Sequence, residues 1–451
     1  MNKFNNIEDI YNVTPFQQTV ISNYLKAPGA GLYLMNLKIR FEGSFDKHIF
    51  TQSWKNIIRK YPAFRTSFHK GASGTFYQAI QKDVDFEPEF IDWSDIDKHT
   101  QNDHFQKLLE NDILNDYELK DPPFTRITVI NESSGSFLIW WRFPQLLMDG
   151  WNIPVVLLDF FDFYRKIASS IPFNIKPDYS LKEYVQTLKT RDKAEEIAFW
   201  KQYLAGYKPV HTNISQKIIS KNSHIRLDKK ISHLYASIVR LTQKYKLNIN
   251  TVFQASYMLA LAKLGFSSRK DSICGTTVTD RPLSLENNHT RVGLYLNILP
   301  MRMCSIPDGI LFVEWLAAFQ KEILTALRFT SGTENEIKDY CGFSHEESLS
   351  DNLIIFENMP YNKIDFEGLP FKMSNYDFEN RPNAKLSLFV WPEENMLLKL
   401  IFDKNYYGEE EAQCLLDEIE YLLNEWTGNE SISMEDMKTR SVVATLNEAL
   451  L

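Results

Sequence analysis

The sequence predicts a mixed α/β (α+β) protein built of two lobes. Its 451 residues exceed the ~250–300 that one hydrophobic core usually supports. Strand-like and helix-like apolar patterns alternate along the chain, and no short repeat connects them. The stretch 169–180 carries Ser, Pro and Asn and is the predicted crossover. We therefore expect an N-terminal lobe of residues 1–175 and a C-terminal lobe of residues 176–451.

The individual elements follow from the spacing of apolar residues. Thr14 and Pro15 form a typical N-cap and first turn, which starts the first helix. Pro144 cannot donate a hydrogen bond to a strand partner, so the most strand-like stretch is expected to end there. The predicted helices are 16–25, 46–60, 153–167, 181–204, 251–264, 312–327 and 408–423. The predicted strands are 32–41, 64–68, 136–143, 291–303, 351–357 and 385–391.

Composition excludes several classes of protein. The net charge is −8, from 58 acidic and 50 basic residues, whereas a nucleic-acid-binding protein normally has a basic excess. The 4 cysteines form no Cys-x-x-Cys pair, so a disulfide framework and a zinc site are both unexpected. No apolar run approaches the ~20 residues of a membrane-spanning helix, and the N-terminus lacks the pattern of a signal peptide. We predict a soluble cytoplasmic protein that binds small molecules or other proteins.

The candidate site is the segment between a predicted strand and the helix that follows it. Its sequence, PQLLMDGW, occupies residues 144–151 and contains an Asp-Gly turn at Asp149 and Gly150. Sites are often built where a turn follows a strand, because backbone and side chains are presented there at the end of a rigid element. The sequence contains no phosphate loop, dinucleotide fingerprint or Gly-x-Ser-x-Gly elbow.

Six segments, taken in order, resemble the motifs of one family, the condensation domains of nonribosomal peptide synthetases. In that family the central signature is His-His-x-x-x-Asp-Gly followed by Trp. Here Pro144 and Gln145 stand at the two histidine positions, so the signature is degenerate. The six segments cover nearly the whole chain: VTPFQQ at 13–18, RKYPAFRTSF at 59–68, PQLLMDGW at 144–151, TDRP at 279–282, VGLYLNILP at 292–300 and LIIFEN at 353–358.

The resemblance implies an architecture and a set of partners. It implies two chloramphenicol-acetyltransferase-like lobes arranged as a V-shaped pseudo-dimer with a central tunnel, the signature in the N-terminal lobe. It implies no cofactor or metal of the protein's own, because the substrates are carried on the phosphopantetheine arms of peptidyl or acyl carrier proteins. A small-molecule acyl donor and an amine or alcohol acceptor would meet in natural product biosynthesis. We further expect a monomeric, free-standing protein that binds neither nucleic acid nor membrane.

The resemblance also assigns residue roles. Gln145 stands where the family's second histidine contacts the attacking amine, and Asn297 would orient substrate, although an amide that only caps a strand end is an equal alternative. Pro144, Asp149, Gly150 and Arg281 are predicted to have structural roles at the site, with Asp149 pairing with Arg281. Gly150 is expected to adopt a backbone conformation that is costly for other residues.

Other residues near the motifs have simpler interpretations. Arg59 and Arg65 are expected in structural ion pairs, and Trp151 in the core. Tyr295 is left open between lining the tunnel and packing. None of the nine histidines lies in a matched motif, and His289 lies close to one in sequence.

Three functions remain open from the sequence. The first is an acyltransferase that forms amides or esters by aligning carrier-bound substrates with Gln145 in place of histidine. The second is a catalytically inactive module that binds carrier proteins or recruits a tailoring enzyme, which the loss of both histidines favours. An acyltransferase that uses free coenzyme A thioesters is a weaker third, because it would normally need the missing histidine.

Overall fold

The computed structural model describes residues 6–114, 117–208, 223–267, 271–281, 290–304, 309–357 and 364–439. The chain forms two compact units, and each contains segments that are distant in sequence. Unit 1 comprises Met1–Arg191, Arg281–Leu296 and Met359–Asn383, and unit 2 comprises Asp192–Asp280, Asn297–Asn358 and Ala384–Leu451. The predicted lobe boundary after residue 175 stays a prediction. The two units cannot be separated by dividing the chain at one position, because unit 1 also contains two segments from later in the sequence.

The described part of unit 1 contains a five-stranded sheet, a three-stranded sheet and five α-helices. The strands are β1 Ile7–Asn12, β2 Leu34–Gly43, β3 Thr66–Lys70, β4 Phe76–Gln81, β5 Glu89–Asp92, β6 Arg126–Ser133, β7 Ser136–Pro144 and β12 Phe371–Asn380. The helices are α1 Pro15–Lys26, α2 Lys47–Lys60, α3 Lys98–Leu114, α4 Asn152–Ala168 and α5 Ser180–Thr190. The five-stranded sheet has the order β12-β2-β7-β6-β5 and the small sheet the order β1-β4-β3.

The core of unit 1 lies between the five-stranded sheet and the pair α2 and α4. Trp54 of α2 packs edge-on against Trp141 of β7 with ring centroids 5.0 Å apart, and Phe160 of α4 lies 5.0 Å from Trp54. All three side chains are buried. Burial of such large aromatic surfaces is a dominant stabilising contribution, and it packs β7 against α2 and α4.

Unit 2 contains a six-stranded sheet and seven helices in its described part. The strands are β8 His224–Lys230, β9 Ser272–Thr279, β10 Leu296–Met303, β11 Asn352–Phe356, β13 Leu386–Trp391 and β14 Leu397–Asp403. The helices are α6 Ala194–Tyr203, α7 Tyr235–Tyr245, α8 Ile249–Lys263, α9 Phe312–Ala326, α10 Glu334–Cys341, α11 Glu409–Gly428 and α12 Met434–Thr439. The sheet has the order β10-β9-β11-β13-β14-β8. The main core packs one sheet face against helices, among them α8 and α11, and a smaller apolar cluster covers the other face.

Three element predictions need correction. The strand predicted at 64–68 begins only at Thr66, because Pro62–Arg65 form a 3₁₀ helix. The single helix predicted at 181–204 is two helices, because α5 ends at Thr190 and α6 begins at Ala194. Arg191 adopts an extended conformation with φ −68° and ψ 124°, which interrupts the helical hydrogen bonds. The strand predicted at 291–303 begins only at Leu296. The preceding residues instead bond to the loop described below.

Candidate functional site

Residues 144–151, here called the signature loop, connect β7 to α4. Pro144 is the last residue of β7 and lies opposite Leu34 of β2. The loop is almost wholly buried from Pro144 to Asp149, and Trp151 is 47% exposed. The prediction that Trp151 packs in the core is therefore wrong: the helix that begins beside it buries Asn152 and Ile153 and leaves the indole towards solvent.

Gln145 is held by its backbone. Its N–H donates to the carbonyl of Tyr33 at 2.8 Å, which extends the hydrogen bonding of β2 and β7 by one step. The residue is 5% exposed. Within the described ranges, the side-chain amide makes no hydrogen bond. A carboxamide has two donors and an acceptor oxygen, so Gln145 retains its full capacity to bond a substrate.

Asp149 and Arg281 form a buried ion pair at the end of the loop. Arg281 donates from Nη2 to both carboxylate oxygens at 3.0 Å, and its Nη1 donates to the carbonyl of Arg291 at 2.7 Å. The side chains of Asp149 and Arg281 are 2% and 9% exposed. The Tyr295 N–H donates to Asp149 Oδ2 at 3.2 Å, and the guanidinium lies 4.3 Å from the Tyr295 ring centroid. The pair therefore ties the signature loop to the 291–295 segment.

Asn152, at the start of α4, adds a second connection to that segment. Its Nδ2 donates to the Arg291 carbonyl at 2.7 Å, and its Oδ1 accepts from the Gly293 N–H at 3.0 Å. The Asp149 N–H donates to the Gly293 carbonyl at 3.2 Å. A Cβ on Gly293 would lie 3.0 Å from Leu181 Cδ1, so the segment packs closely here. Nothing in the sequence analysis singled out Asn152 or Gly293 for this role.

Gln17, in the first matched motif, supports the middle of the loop. Its Nε2 donates to the carbonyl of Leu146 at 3.0 Å, and its Oε1 accepts from the Thr14 N–H at 2.8 Å. Gln17 is 1% exposed. The Thr14 hydroxyl accepts from the Gln17 N–H at 3.0 Å, which completes a capping box at the start of α1. The helix terminus and the loop thus share one side chain.

Asn297 is in unit 2, and its amide is occupied by backbone groups. Nδ2 donates to the carbonyls of Thr330 and Gly332 at 2.7 and 2.9 Å, and Oδ1 accepts from the Ile298 N–H at 2.9 Å. The residue is 4% exposed. These contacts give Asn297 a clear role in holding the turn before α10 against β10.

The remaining candidates separate into paired and packed residues. Arg65 is buried and donates to Glu8 at 2.7 Å, whereas Arg59 donates to Asn56 at 3.2 Å. Tyr295 is 1% exposed and packs on Tyr184, and burial raises the pKa of its phenol. Gly150 does not have a positive φ, so the predicted conformational reason for glycine is not found there. His289 lies outside the described residues.

Neither a metal cluster nor a membrane-spanning helix is found in the part of the chain that the structure describes. No group of three or more His, Cys, Asp or Glu side chains within the described ranges is arranged to hold a metal ion. None of the helices described is both long and apolar enough to cross a membrane.

Comparison with known proteins gives a consistent family. A family model described as Condensation domain matches residues 7–445. One of the subunits of linear gramicidin synthase from Brevibacillus parabrevis is 25% identical over 444 residues, which cover 96% of this chain and 9% of that protein. Surfactin synthase subunit 3 of Bacillus subtilis (strain 168) is 24% identical over 410 residues, covering 89% of this chain and 32% of that protein. The chain thus spans a minor part of these relatives.

Solved structures give the same fold. The condensation domain from monacolin K polyketide synthase superposes with a TM-score of 0.77 at 15% identity, covering 95% of this chain and 99% of that chain. The first condensation domain of the calcium-dependent antibiotic synthetase gives a TM-score of 0.79 at 14% identity, with coverages of 95% and 99%. The predicted mixed α/β class with two chloramphenicol-acetyltransferase-like lobes is confirmed.

Proposed function

Because this chain belongs to the condensation-domain family of nonribosomal peptide synthesis, we propose that it joins a carrier-bound acyl thioester to an amine or alcohol acceptor. Gln145 takes the position of the usual histidine and aligns the substrates. The proposed partners are peptidyl or acyl carrier proteins, which would supply both substrates on phosphopantetheine arms. The relatives include synthases of linear gramicidin and surfactin, which supports this class of substrate.

The observation that carries the proposal is the contrast within the signature loop. Asp149 is fixed by one nitrogen of Arg281 that contacts both of its carboxylate oxygens. Gln17 holds the Leu146 carbonyl, and Asn152 bonds to the Arg291 carbonyl of the neighbouring segment. The carboxamide of Gln145, in contrast, has no hydrogen bond to any residue in the described part of the chain. The donors and the acceptor of this amide therefore remain available to bond to a substrate.

The chemistry is acyl transfer from sulfur to nitrogen or oxygen. The acceptor nitrogen attacks the thioester carbonyl, a C–N bond forms, and the C–S bond breaks as the thiolate leaves. The proton lost by the nitrogen ends on the departing sulfur. Gln145 cannot remove that proton near pH 7, but its oxygen can accept a hydrogen bond from the amine, or its NH₂ can donate to the developing oxyanion.

The typical sizes of the catalytic contributions are compatible with activity in the absence of an imidazole. General acid–base catalysis typically contributes about 10²–10⁴-fold. Alignment of two reactants contributes effective molarities of about 10⁵–10⁸ M. The larger contribution, alignment, depends on where the substrates are held and not on the basicity of residue 145. A signature loop fixed by several hydrogen bonds is suited to hold them.

The experiment is a condensation assay with loaded donor and acceptor carrier proteins. A hydrogen bond to a charged or developing charged group is worth about 1.5–3 kcal/mol, so Gln145→Ala is expected to lower the rate by about 10- to 100-fold. Gln106→Ala, an exposed glutamine of α3 in the same unit, is the matched control and should keep the wild-type rate. Gln145→His restores the family's second histidine and is expected to raise the rate.

A second candidate function is a module that binds carrier proteins without catalysis. The replacement of both imidazoles at Pro144 and Gln145 favours it. The same assay decides: wild-type protein that binds a carrier but forms no product with any cognate pair would establish this function and refute the first.

A further inference from the structure

Three strand ends of unit 1 meet beside the signature loop. In the five-stranded sheet, β12 pairs with β2 and β2 pairs with β7. Past the last paired residues, the Tyr33 N–H donates to the Arg381 carbonyl at 2.7 Å and the Gln145 N–H donates to the Tyr33 carbonyl at 2.8 Å. Arg381 and Gln145 are therefore separated by a single intervening strand. Tyr33 has φ +60°, an uncommon conformation for a large side chain, where the three ends meet.

Arg381 is a buried cation with unused donors. It is 9% exposed, and its Nε and Nη1 are buried without any hydrogen-bond acceptor in the described chain. Among the described residues its counter-charge is Glu379, whose Oε1 lies 3.7 Å from Nε, beyond hydrogen-bonding distance. A buried guanidinium is unfavourable unless its N–H groups are bonded and its charge is matched.

Other arginines of the same unit show what a purely structural role requires. Arg281 donates to both oxygens of Asp149 and to a carbonyl. Arg142 donates to Asp112 at 2.8 Å and to Thr128 at 2.6 Å. Arg40, on neighbouring β2, contacts both oxygens of Glu132 at 3.1–3.2 Å. Arg381 differs from these three in having no short bond to a carboxylate of any residue that the structure describes.

We propose that Arg381 forms an oxyanion-binding subsite beside the signature loop, at the end of the five-stranded sheet. The group bound would be a carboxylate or a phosphoryl group, which a guanidinium recognises through short charge-assisted hydrogen bonds. Glu379 opposes the anion and moderates its affinity, because its carboxylate lies within 4 Å of the same guanidinium. This subsite goes beyond the proposed acyl transfer and is measured without turnover.

The test is calorimetric titration of the whole protein with succinate and, separately, with inorganic phosphate, at constant ionic strength in chloride. Arg381→Gln is expected to weaken binding about tenfold or more. Glu379→Gln removes the opposing charge and is expected to strengthen binding about threefold or more. Arg40→Gln is the matched control, because Arg40 is already paired with Glu132, and binding should not change.

The two variants act in opposite directions, which a general loss of folding cannot imitate. Binding of succinate that follows this pattern identifies a substrate carboxylate, and binding of phosphate that follows it identifies a phosphoryl group. The proposal is overturned if wild-type protein binds neither anion, or if Glu379→Gln leaves the affinity unchanged or lowers it. Loss of condensation activity with anion binding intact would refute the proposed function alone.

Discussion

Arg281 places one nitrogen, Nη2, at 3.0 Å from both carboxylate oxygens of Asp149, although the two residues are separated by 132 positions in the chain. The pair is buried, and its two side chains also bond to the backbone of residues 291 and 295. It thus fastens the loop after β7 to a segment from a distant part of the sequence. Pro144 and Gln145 lie on the same loop.

Arg281→Ala is expected to destabilise the protein strongly. It would leave the Asp149 carboxylate buried without its counter-charge, which typically costs about 3–5 kcal/mol. For unit 1 this corresponds to a fall of about 10 °C in the unfolding temperature, measured by differential scanning fluorimetry. The matched control is Lys372→Ala, since the Lys372–Glu42 pair is 72% and 57% exposed and such pairs contribute little. Equal shifts for the two variants would contradict the structural role of Arg281.

Gly293→Ala tests the close packing beside the loop. The new Cβ would lie 3.0 Å from Leu181 Cδ1 and 3.2 Å from Tyr295 Cε2, within the same unit. Such overpacking typically costs about 1–3 kcal/mol, and urea unfolding followed by tryptophan fluorescence would measure it. Gly135→Ala is the control, because a Cβ there meets nothing within 4 Å. If Gly293→Ala is as stable as Gly135→Ala, the side chains around Gly293 can move to accommodate the added methyl group, and the packing there is not tight.

Local patterns were sufficient for most helices and for some strands. The apolar period predicted a helix at 312–327, and α9 spans Phe312–Ala326. The pairing of β12 with β2 was beyond such reasoning, because it joins residues more than 300 positions apart and β12 has polar residues on both faces. The prediction that Trp151 is buried was wrong, because an apolar side chain that follows a turn can face either the core or the solvent.

The site contacts that could be predicted are those between side chains of complementary charge. A buried Asp and an Arg imply an ion pair, and the family resemblance identified Asp149 and Arg281. Gln17 and Asn152 bond instead to backbone atoms, at Leu146 and Arg291. Backbone acceptors are present at every residue, so no pattern in the sequence distinguishes the ones that are used.

Gln17→Met is expected to loosen the signature loop while preserving side-chain volume. The Leu146 carbonyl would lose its donor and the Thr14 N–H its acceptor. An unbonded buried polar group costs about 1–3 kcal/mol, so amide hydrogen exchange at residues 145–149 should accelerate by about tenfold or more. Gln106→Met on the exposed face of α3 should leave exchange unchanged. Unaltered exchange in Gln17→Met would mean that the loop is held by its other bonds alone.

Glu357 follows β11 in unit 2 and is a buried carboxyl. Its N–H donates to the Val390 carbonyl at 2.9 Å, and its side chain belongs to the face of the sheet where Trp391 and Lys399 also lie. Burial raises the pKa of Glu357 to about 7 from 4.5, and the positive charge of Lys399 lowers it only in part. The folded protein therefore holds a proton there that the unfolded chain releases near pH 4.5.

The sign of the pH dependence follows from that difference. Below pH 4.5 both states are protonated and Glu357 costs nothing; between pH 4.5 and 7 the unfolded state is progressively favoured, and above pH 7 the full penalty applies. The shift corresponds to about 3 kcal/mol. Glu357→Gln should therefore raise the unfolding temperature at pH 8 and have little effect at pH 4.5. Glu394→Gln, at an exposed glutamate between β13 and β14, is the control. A gain for Glu357→Gln that is equal at both pH values would show that carboxyl ionisation is not its cause.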